Sequence, residues 1–313
     1  MLSRYLPFYL VALVLVSPRV WSAPPCGIGL KLQDYEPNSV VVRKDDIDDT
    51  HLNFTLSQMY PIGHDGCVKV ESEQGNWPLV PYFAFTGEFA FYLFGDRNSA
   101  PVIGRRFKPK IFFRNWLGDG RHGYVDLGLT HESNGQSVNS ETLYRSRIND
   151  LVALGEKEAS ANDYISRGWD FVDLTAKQQW FLGEGDISVY LNLNYYLDEG
   201  PLQGTPEEVW PWELDGGEGK QRSQVDGISL LLKGSSIRVH KNFGFKAALK
   251  YTTGYDNPFD YSTYRLEFTT KVFNLPPLLI WVSQGYNSSL TNYYRDVTTV
   301  GVGFEFRNFL SDI

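Results

Sequence analysis

The chain has 313 residues, and its 29 Lys plus Arg against 37 Asp plus Glu give a formal net charge of −8. This acidic balance, without any basic cluster, disfavours nucleic-acid binding. The chain has only two cysteines, Cys26 and Cys67, and no CxxC or Cys/His cluster, which disfavours a redox or cysteine-ligated metal role. In an oxidising compartment this pair can close one structural disulfide.

Residues 1–23 have the features of a secretory signal peptide. Arg4 supplies an early positive charge, an apolar run extends from Leu6 to Val16, and Ser22 and Ala23 are small residues suited to cleavage. The apolar run is about half of the ~20 residues that a membrane-spanning helix needs, and no later segment supplies such a run. A helical membrane protein is therefore disfavoured.

The rest of the chain divides by its hydrophobic pattern near residue 75. Residues 24–75 alternate less clearly, and we expect a periplasmic or barrel-capping segment there. Residues 76–313 contain repeated stretches in which apolar and polar side chains alternate, at 188–197, 244–252, 264–269 and 300–306. Alternation also fits a soluble β-sandwich or a lipocalin-like barrel. The signal peptide and the length favour an all-β, antiparallel transmembrane barrel of roughly ten to fourteen strands.

One interval of this barrel region is not typical of a strand. In residues 140–159, apolar side chains recur near helical spacing. We expect a loop with a short helix there, lying between two strands.

The segment Tyr124–Gln136 places a histidine and a serine two residues apart at the end of an alternating strand. His131 and Ser133 fall on the same face as Val125, Leu127 and Leu129, because alternate side chains of a strand share a face. In a transmembrane barrel the apolar face contacts lipid. A nucleophile there would meet acyl chains and ester groups, which suggests a lipid-cleaving enzyme.

A serine and a histidine need a third group that orients the imidazole. Asp170, in Ser166-Arg-Gly-Trp-Asp170, shares its face with Val172 and Leu174. If this strand is the hairpin partner of the Ser133 strand, the three side chains converge.

These motifs resemble those of the outer-membrane phospholipase A family of Gram-negative bacteria. His131-Glu-Ser-Asn-Gly135 is similar to that family's His-Asp-Ser-Asn-Gly, and Ser166-Arg-Gly-Trp-Asp170 to its Ser-Arg-Ser-Trp-Asn. Ser99-Ala-Pro101 resembles an upstream Ser-Ser-Pro segment, and residues 285–293 and 300–303 resemble the last two strands. The resemblance covers roughly residues 85–306.

The resemblance implies a twelve-stranded outer-membrane barrel that hydrolyses phospholipid acyl esters at the outer leaflet as a calcium-loaded homodimer. It makes Ser133 the nucleophile, His131 the base and Asp170 the orienting residue, with the Gly135 amide donating to the oxyanion. Ca²⁺ would be held by the Gln136 carbonyl and the Ser166 hydroxyl, and by Ser99 of the partner subunit. Oxygen ligands of this kind suit calcium.

Four departures from the family pattern matter for function. Asp170 replaces the family's Asn, Gln136 replaces its Arg, and Gly87 stands where its interface glutamine would be. The interval between the two motifs is also longer, by more than twenty residues. Two alternatives stay open: a non-enzymatic pore or structural barrel, and an enzyme acting on lysophospholipid or another acyl ester.

Overall fold

The computed structural model describes residues 32–46, 50–62, 79–93, 102–117, 122–214, 219–240, 243–272 and 276–306. The signal peptide, both cysteines and Ser99 lie outside these ranges. Within them the strands are β1 Gln33–Asp34, β2 Asn38–Asp45, β3 Thr50–Pro61, β4 Leu79–Tyr92, β5 Ile103–Leu117, β6 Gly123–Ser133, β7 Gly168–Leu182, β8 Gly185–Tyr196, β9 Gly227–His240, β10 Phe243–Gly254, β11 Ser262–Val272, β12 Leu278–Gly285 and β13 Val297–Phe306. The helices are α1 Glu141–Ala153 and the four-residue α2 Arg222–Val225, and 3-10 turns cover Glu158–Tyr164 and Pro211–Glu213.

Strands β2 to β13 form a closed antiparallel barrel in which each strand pairs with its neighbours in sequence. The barrel closes where β2, the first of these strands, pairs with β13, the last. The predicted all-β barrel of about twelve strands is confirmed. β1 is an additional short strand that pairs with the end of β3.

The N-terminal segment differs from its sequence-based description. Residues 38–61 are not a separate cap, because they form β2 and β3, two strands of the barrel wall. The preceding residues do reach into the lumen. The Tyr35 hydroxyl accepts a hydrogen bond from Lys110 at 2.8 Å, and the Glu36 carboxylate accepts one from Lys108 at 2.7 Å. The described part of residues 76–313 contains only β4 to β13, so the barrel closes only when β2 and β3 are added.

The barrel wall has an apolar outer face and a polar inner face. On the outside, Leu127 and Leu129 of β6 are 53% and 40% exposed, and Val300 and Val302 of β13 are 48% and 50% exposed. Such a belt of exposed aliphatic side chains is what a membrane-spanning barrel presents to lipid.

Ion pairs occupy the lumen. Arg114 donates to both carboxylate oxygens of Asp126, at 2.7 and 2.8 Å, and Lys110 pairs with Asp173. None of these four side chains is more than 4% exposed. A polar cavity of about 520 Å³ remains among the inward-facing groups. Each of these four buried charges has an opposite charge beside it, so removal of one partner would leave the other buried and uncompensated.

The two ends of the barrel are built differently. At one end β7 and β8 are joined by residues 183–184, whereas at the other end residues 134–167 and 197–226 form long connections. Buried aromatic and aliphatic side chains of the 197–226 connection, of the β12–β13 connection and of the adjoining strand ends form a core: Trp169, Phe171, Tyr196, Val225, Leu290, Tyr293 and Tyr294. The long loops thus fold over the end of the barrel where His131 and Ser133 lie.

The expected helical insertion is present as α1. Ser140 caps its N-terminus by accepting a hydrogen bond from the Leu143 amide at 3.4 Å. Tyr144 packs on Trp212 with ring centroids 5.0 Å apart, and its hydroxyl donates to Asn162 at 2.6 Å. In the part of the chain that the structure describes, no helix has the length and apolarity needed to cross a membrane.

Breaking a buried ion pair of the lumen should cost more protein stability than breaking a half-exposed one. Asp126→Asn leaves Arg114 without its charged partner, and we expect a loss of about 3–5 kcal/mol in the free energy of unfolding. Urea unfolding of the refolded protein in detergent would measure it. Glu267→Gln is the control, because the Arg265–Glu267 pair is 33% and 28% exposed and such pairs contribute at most about 1 kcal/mol. Equal, small losses in both variants would contradict the prediction.

Candidate active site

The register of β6 against β7 brings His131 and Asp170 together. The two residues are directly opposite each other, and Ser133 is opposite Gly168 at the end of the same ladder. His131 Nδ1 and Asp170 Oδ1 are 2.7 Å apart. The predicted hairpin and the pairing of the histidine with the aspartate are therefore present, on the outer face that also carries Leu129 and Val172.

Ser133 shares this face but is not yet bonded to the histidine. The hydrogen bond to Asp170 takes up Nδ1 and leaves Nε2 as the nitrogen that can serve Ser133. Among the described residues, the Ser133 hydroxyl has no hydrogen-bond partner. Hydrogen bonds between catalytic groups are often long without substrate and shorten when it binds.

A tight turn of the loop after β8 covers Asp170. Asp170 Oδ2 accepts hydrogen bonds from the backbone amides of Leu202 and Gln203, at 2.6 and 2.9 Å. Gly200 and Gly204 close this turn by exchanging backbone hydrogen bonds of 2.9 and 3.1 Å. Asp170 is only 2% exposed as a result. The turn thus removes a carboxylate on the outer face from contact with lipid, where a bare charge is costly.

On the inner face of the same strand end, an ion pair holds Glu132 in place. Glu132, between the histidine and the serine, accepts a hydrogen bond from Arg222 at 2.7 Å. Arg222 also donates to Asp226 at 2.9 Å and to the Tyr196 hydroxyl at 3.1 Å. Arg222 is 1% exposed. These bonds hold the end of β6 to the loop structure above the lumen.

Glu208 ties the loops that carry Gln203 and Tyr293 to the barrel. It accepts hydrogen bonds from the Trp169 indole at 3.0 Å and from the Tyr293 hydroxyl at 2.5 Å. Burial, and then the Glu208 charge, raise the pKa of Tyr293 above its ordinary value. The phenol therefore stays protonated and keeps donating to Glu208 across the physiological pH range.

Two of the three predicted calcium ligands lie on adjacent segments. The Asn134 amide donates to the Arg167 carbonyl at 3.1 Å, and the Ser166 amide to the Val138 carbonyl at 2.8 Å. Gln136 lies in sequence between Asn134 and Val138, the two residues of its segment that make these contacts. Ser99 lies outside the described residues.

A carboxylate that sequence reasoning missed accompanies these ligands. The Ser166 hydroxyl donates to Glu207 Oε2 at 2.7 Å. In the described ranges no group of three or more His, Cys, Asp or Glu side chains has the arrangement of a metal site. A carbonyl, a hydroxyl and a carboxylate are oxygen ligands of the kinds that Ca²⁺ accepts, so the chemistry of these residues fits the ion.

Gly135 and Asn134 shape the segment after the nucleophile. Gly135 has φ +60°, a conformation that favours glycine. The Asn134 side chain accepts hydrogen bonds from the Gln136 and Arg167 amides at 3.2 and 3.0 Å and donates to the Ile165 carbonyl at 2.7 Å. Asn134 lies in the first motif, where the sequence alone assigns it no role. In the structure its side chain joins the two motifs. Sequence reasoning also missed the turn at 200–204 and Glu207, because the loop that contains them has no periodic hydrophobic pattern.

Comparison with solved structures identifies the architecture of the barrel. No family model and no curated protein sequence matches the chain. Among solved structures, outer membrane phospholipase A from Escherichia coli matches with a TM-score of 0.54 and 16% identity, over 90% of this chain and 94% of that one. The chain has the fold of outer membrane phospholipase A.

A second phospholipase structure agrees with the first. The Salmonella typhi outer membrane phospholipase dimer with bound calcium matches with a TM-score of 0.53 and 16% identity, over the same shares of the two chains. The fold supports an outer-membrane location. At 16% identity, these likenesses show the fold alone.

The bonding of Asp170 predicts that an amide cannot replace the carboxylate. Asp170 Oδ1 faces His131 and Oδ2 accepts from two backbone amides. In Asp170→Asn, the NH₂ group must face either the two N–H donors or the protonated Nδ1, so an acceptor is lost in both orientations. We expect the rate of ester hydrolysis to fall at least about 10-fold, because the imidazole loses its orienting partner.

Initial rates on mixed micelles would measure this fall. Glu267→Gln is the comparison variant, since Glu267 faces the lumen and its pair with Arg265 is partly exposed, so the loss of this charge costs little stability. A fully active Asp170→Asn protein would contradict the prediction.

Proposed function

We propose that this protein is a calcium-dependent phospholipase A of the outer membrane, which hydrolyses acyl esters of phospholipids at the lipid-facing surface of its barrel. The observation that carries the proposal is the His131–Asp170 hydrogen bond on the apolar outer face, with Ser133 two residues further along the strand. The phospholipase fold supports it. A substrate ester reaching this site from the outer leaflet needs no water-filled pocket.

The chemistry follows from the positions of these side chains. His131 Nε2 removes the proton from the Ser133 hydroxyl as its oxygen attacks the ester carbonyl. Asp170 keeps Nδ1 protonated and stabilises the imidazolium that forms. The Gly135 N–H donates to the oxyanion, and His131 then returns the proton to the leaving alcohol. Water releases the fatty acid from Ser133 by the same steps.

Calcium is assigned to the segments next to the nucleophile. The Gln136 carbonyl and the Ser166 hydroxyl would hold the ion, with Ser99 of a second subunit, and the Glu207 carboxylate adds a charge beside Ser166. A cation there supplies electrostatic stabilisation of the oxyanion. The homodimer follows from this assignment, because Ser99 is expected to come from the partner subunit.

The first test is the loss of the nucleophile. We expect Ser133→Ala to lower the rate of acyl-chain release from phospholipid–detergent micelles by at least about 10³-fold, because no other group forms the acyl-enzyme. Ser137→Ala, at an exposed serine four residues further on, should keep the wild-type rate. Heat-dependent migration on a gel would verify that both barrels are folded. Full activity of Ser133→Ala would exclude this mechanism, and an inactive folded wild type would favour a pore or structural barrel.

The second test concerns the ion. Ser166→Ala removes a ligand and Glu207→Gln removes the neighbouring charge, so we expect calcium affinity to fall about 10-fold or more in each. Isothermal titration with CaCl₂ measures this without any substrate. Glu141→Gln is the control, since Glu141 lies on exposed α1 and pairs with Arg145. Sedimentation of the same samples would show whether calcium promotes a dimer. Unchanged affinity in both variants would rule out this assignment.

A further inference from the structure

The turn at residues 200–204 brings a side-chain amide onto the outer face of β7. The Gln203 carboxamide lies over Gly168, so closely that a Cβ at Gly168 would overlap its Oε1 and Cδ atoms, and Nε2 is 3.3 Å from the same point. Gln203 is partly buried there. The glycine in Ser166-Arg-Gly-Trp-Asp170 therefore makes room for a residue from another loop.

This position is next to the nucleophile. Gly168 and Ser133 are a cross-strand pair. Side chains of such a pair have Cβ atoms about 4.5–5.5 Å apart on one face. The carboxamide occupies the place that a Gly168 side chain would have. It is therefore the neighbour of Ser133 on the β7 side.

The turn holds the carboxamide in a fixed place. The Gln203 amide nitrogen is bonded to Asp170 Oδ2 at 2.9 Å, and the turn sits so close that a Cβ at Gly200 would overlap the Asp170 carboxylate. The Gly200–Gly204 hydrogen bonds close the turn on its other side. Gln203 is thus attached through its backbone to the group that orients His131 while its side chain extends toward Ser133.

The carboxamide is available to bind a ligand. Among the described residues, the Gln203 side chain has no hydrogen-bond partner. A carboxamide beside a serine nucleophile is a known means of stabilising an oxyanion, and loss of one such donor lowers kcat by about 10²–10³-fold.

We propose that Gln203 is a further catalytic residue, whose side-chain N–H donates to the ester oxygen that becomes negatively charged when Ser133 attacks. It is a second donor beside the Gly135 amide and comes from the loop after β8. The inference rests on the proposed function, because it assumes an ester bound at Ser133. Gly168 is required so that the carboxamide can lie there.

The experiment measures kcat and KM on mixed micelles for four variants. We expect Gln203→Ala and Gln203→Glu each to lower kcat about 10²-fold with little change in KM, because the donor acts on the transition state. Both keep the backbone amide that binds Asp170, and Gln203→Glu also keeps the shape. Gly168→Ala should lower kcat to a similar degree by displacing the carboxamide. The double variant should be no slower than Gln203→Ala, since the displaced group is already absent.

Gly234→Ala is the matched control, because a Cβ at this β9 glycine meets no atom within 4 Å. It should keep the wild-type kcat. Full kcat in Gln203→Ala would overturn the proposal, and so would independent, multiplying effects of Gly168→Ala and Gln203→Ala, or a loss expressed only in KM. Heat-dependent gel migration would confirm that each barrel is folded.

Labelling of Ser133 by a fluorophosphonate separates this proposal from the proposed function. If the wild-type protein is labelled but does not cleave phospholipid, only the assignment of phospholipid as the substrate is contradicted. Slower labelling of Gln203→Ala then still supports the second donor, and an equal rate overturns it. A folded wild type that is neither labelled nor active overturns both proposals, whereas an active wild type with an equally active Gln203→Ala overturns only this one.

Discussion

The pairing of β6 with β7 is the constraint on which the site depends. In this register His131 is opposite Asp170 and Ser133 is opposite Gly168 on the outer face, while Glu132 points inward. A shift of one residue would exchange the two faces and send the histidine and the serine into the lumen. The charges inside the barrel act against such a shift, because each inward acidic side chain of these strands has its own basic partner.

The same alternation explains how a polar site can exist on a lipid-facing wall. The outer face of β6 and β7 carries aliphatic side chains through the middle of the strands, and the histidine, the serine and the aspartate lie at the end where the long loops begin. At that level the turn at 200–204 supplies two amides to Asp170. The carboxylate that orients the imidazole is thereby hydrogen-bonded by the protein rather than by water. The proposed ester substrate can then approach from the bilayer.

The loops beyond this end act as one structure. Arg222 joins Glu132 to Asp226, Glu208 joins Trp169 to Tyr293, and α1 packs through Tyr144 on Trp212. The long insertion between the two motifs therefore lengthens a connection without separating the motifs. Asn134 bonds across from the first motif to the second and keeps them side by side.

The sequence by itself determined the barrel and the positions of His131, Ser133 and Asp170, because alternation and strand parity are local properties of the chain. It did not place β2 and β3 in the wall, since their alternation is weak and their membership depends on pairing with β13 and β4. It also missed Gln203 and Glu207. Their positions depend on how a non-periodic loop folds back over β7, and only the tertiary structure decides that, because such contacts join residues far apart in sequence.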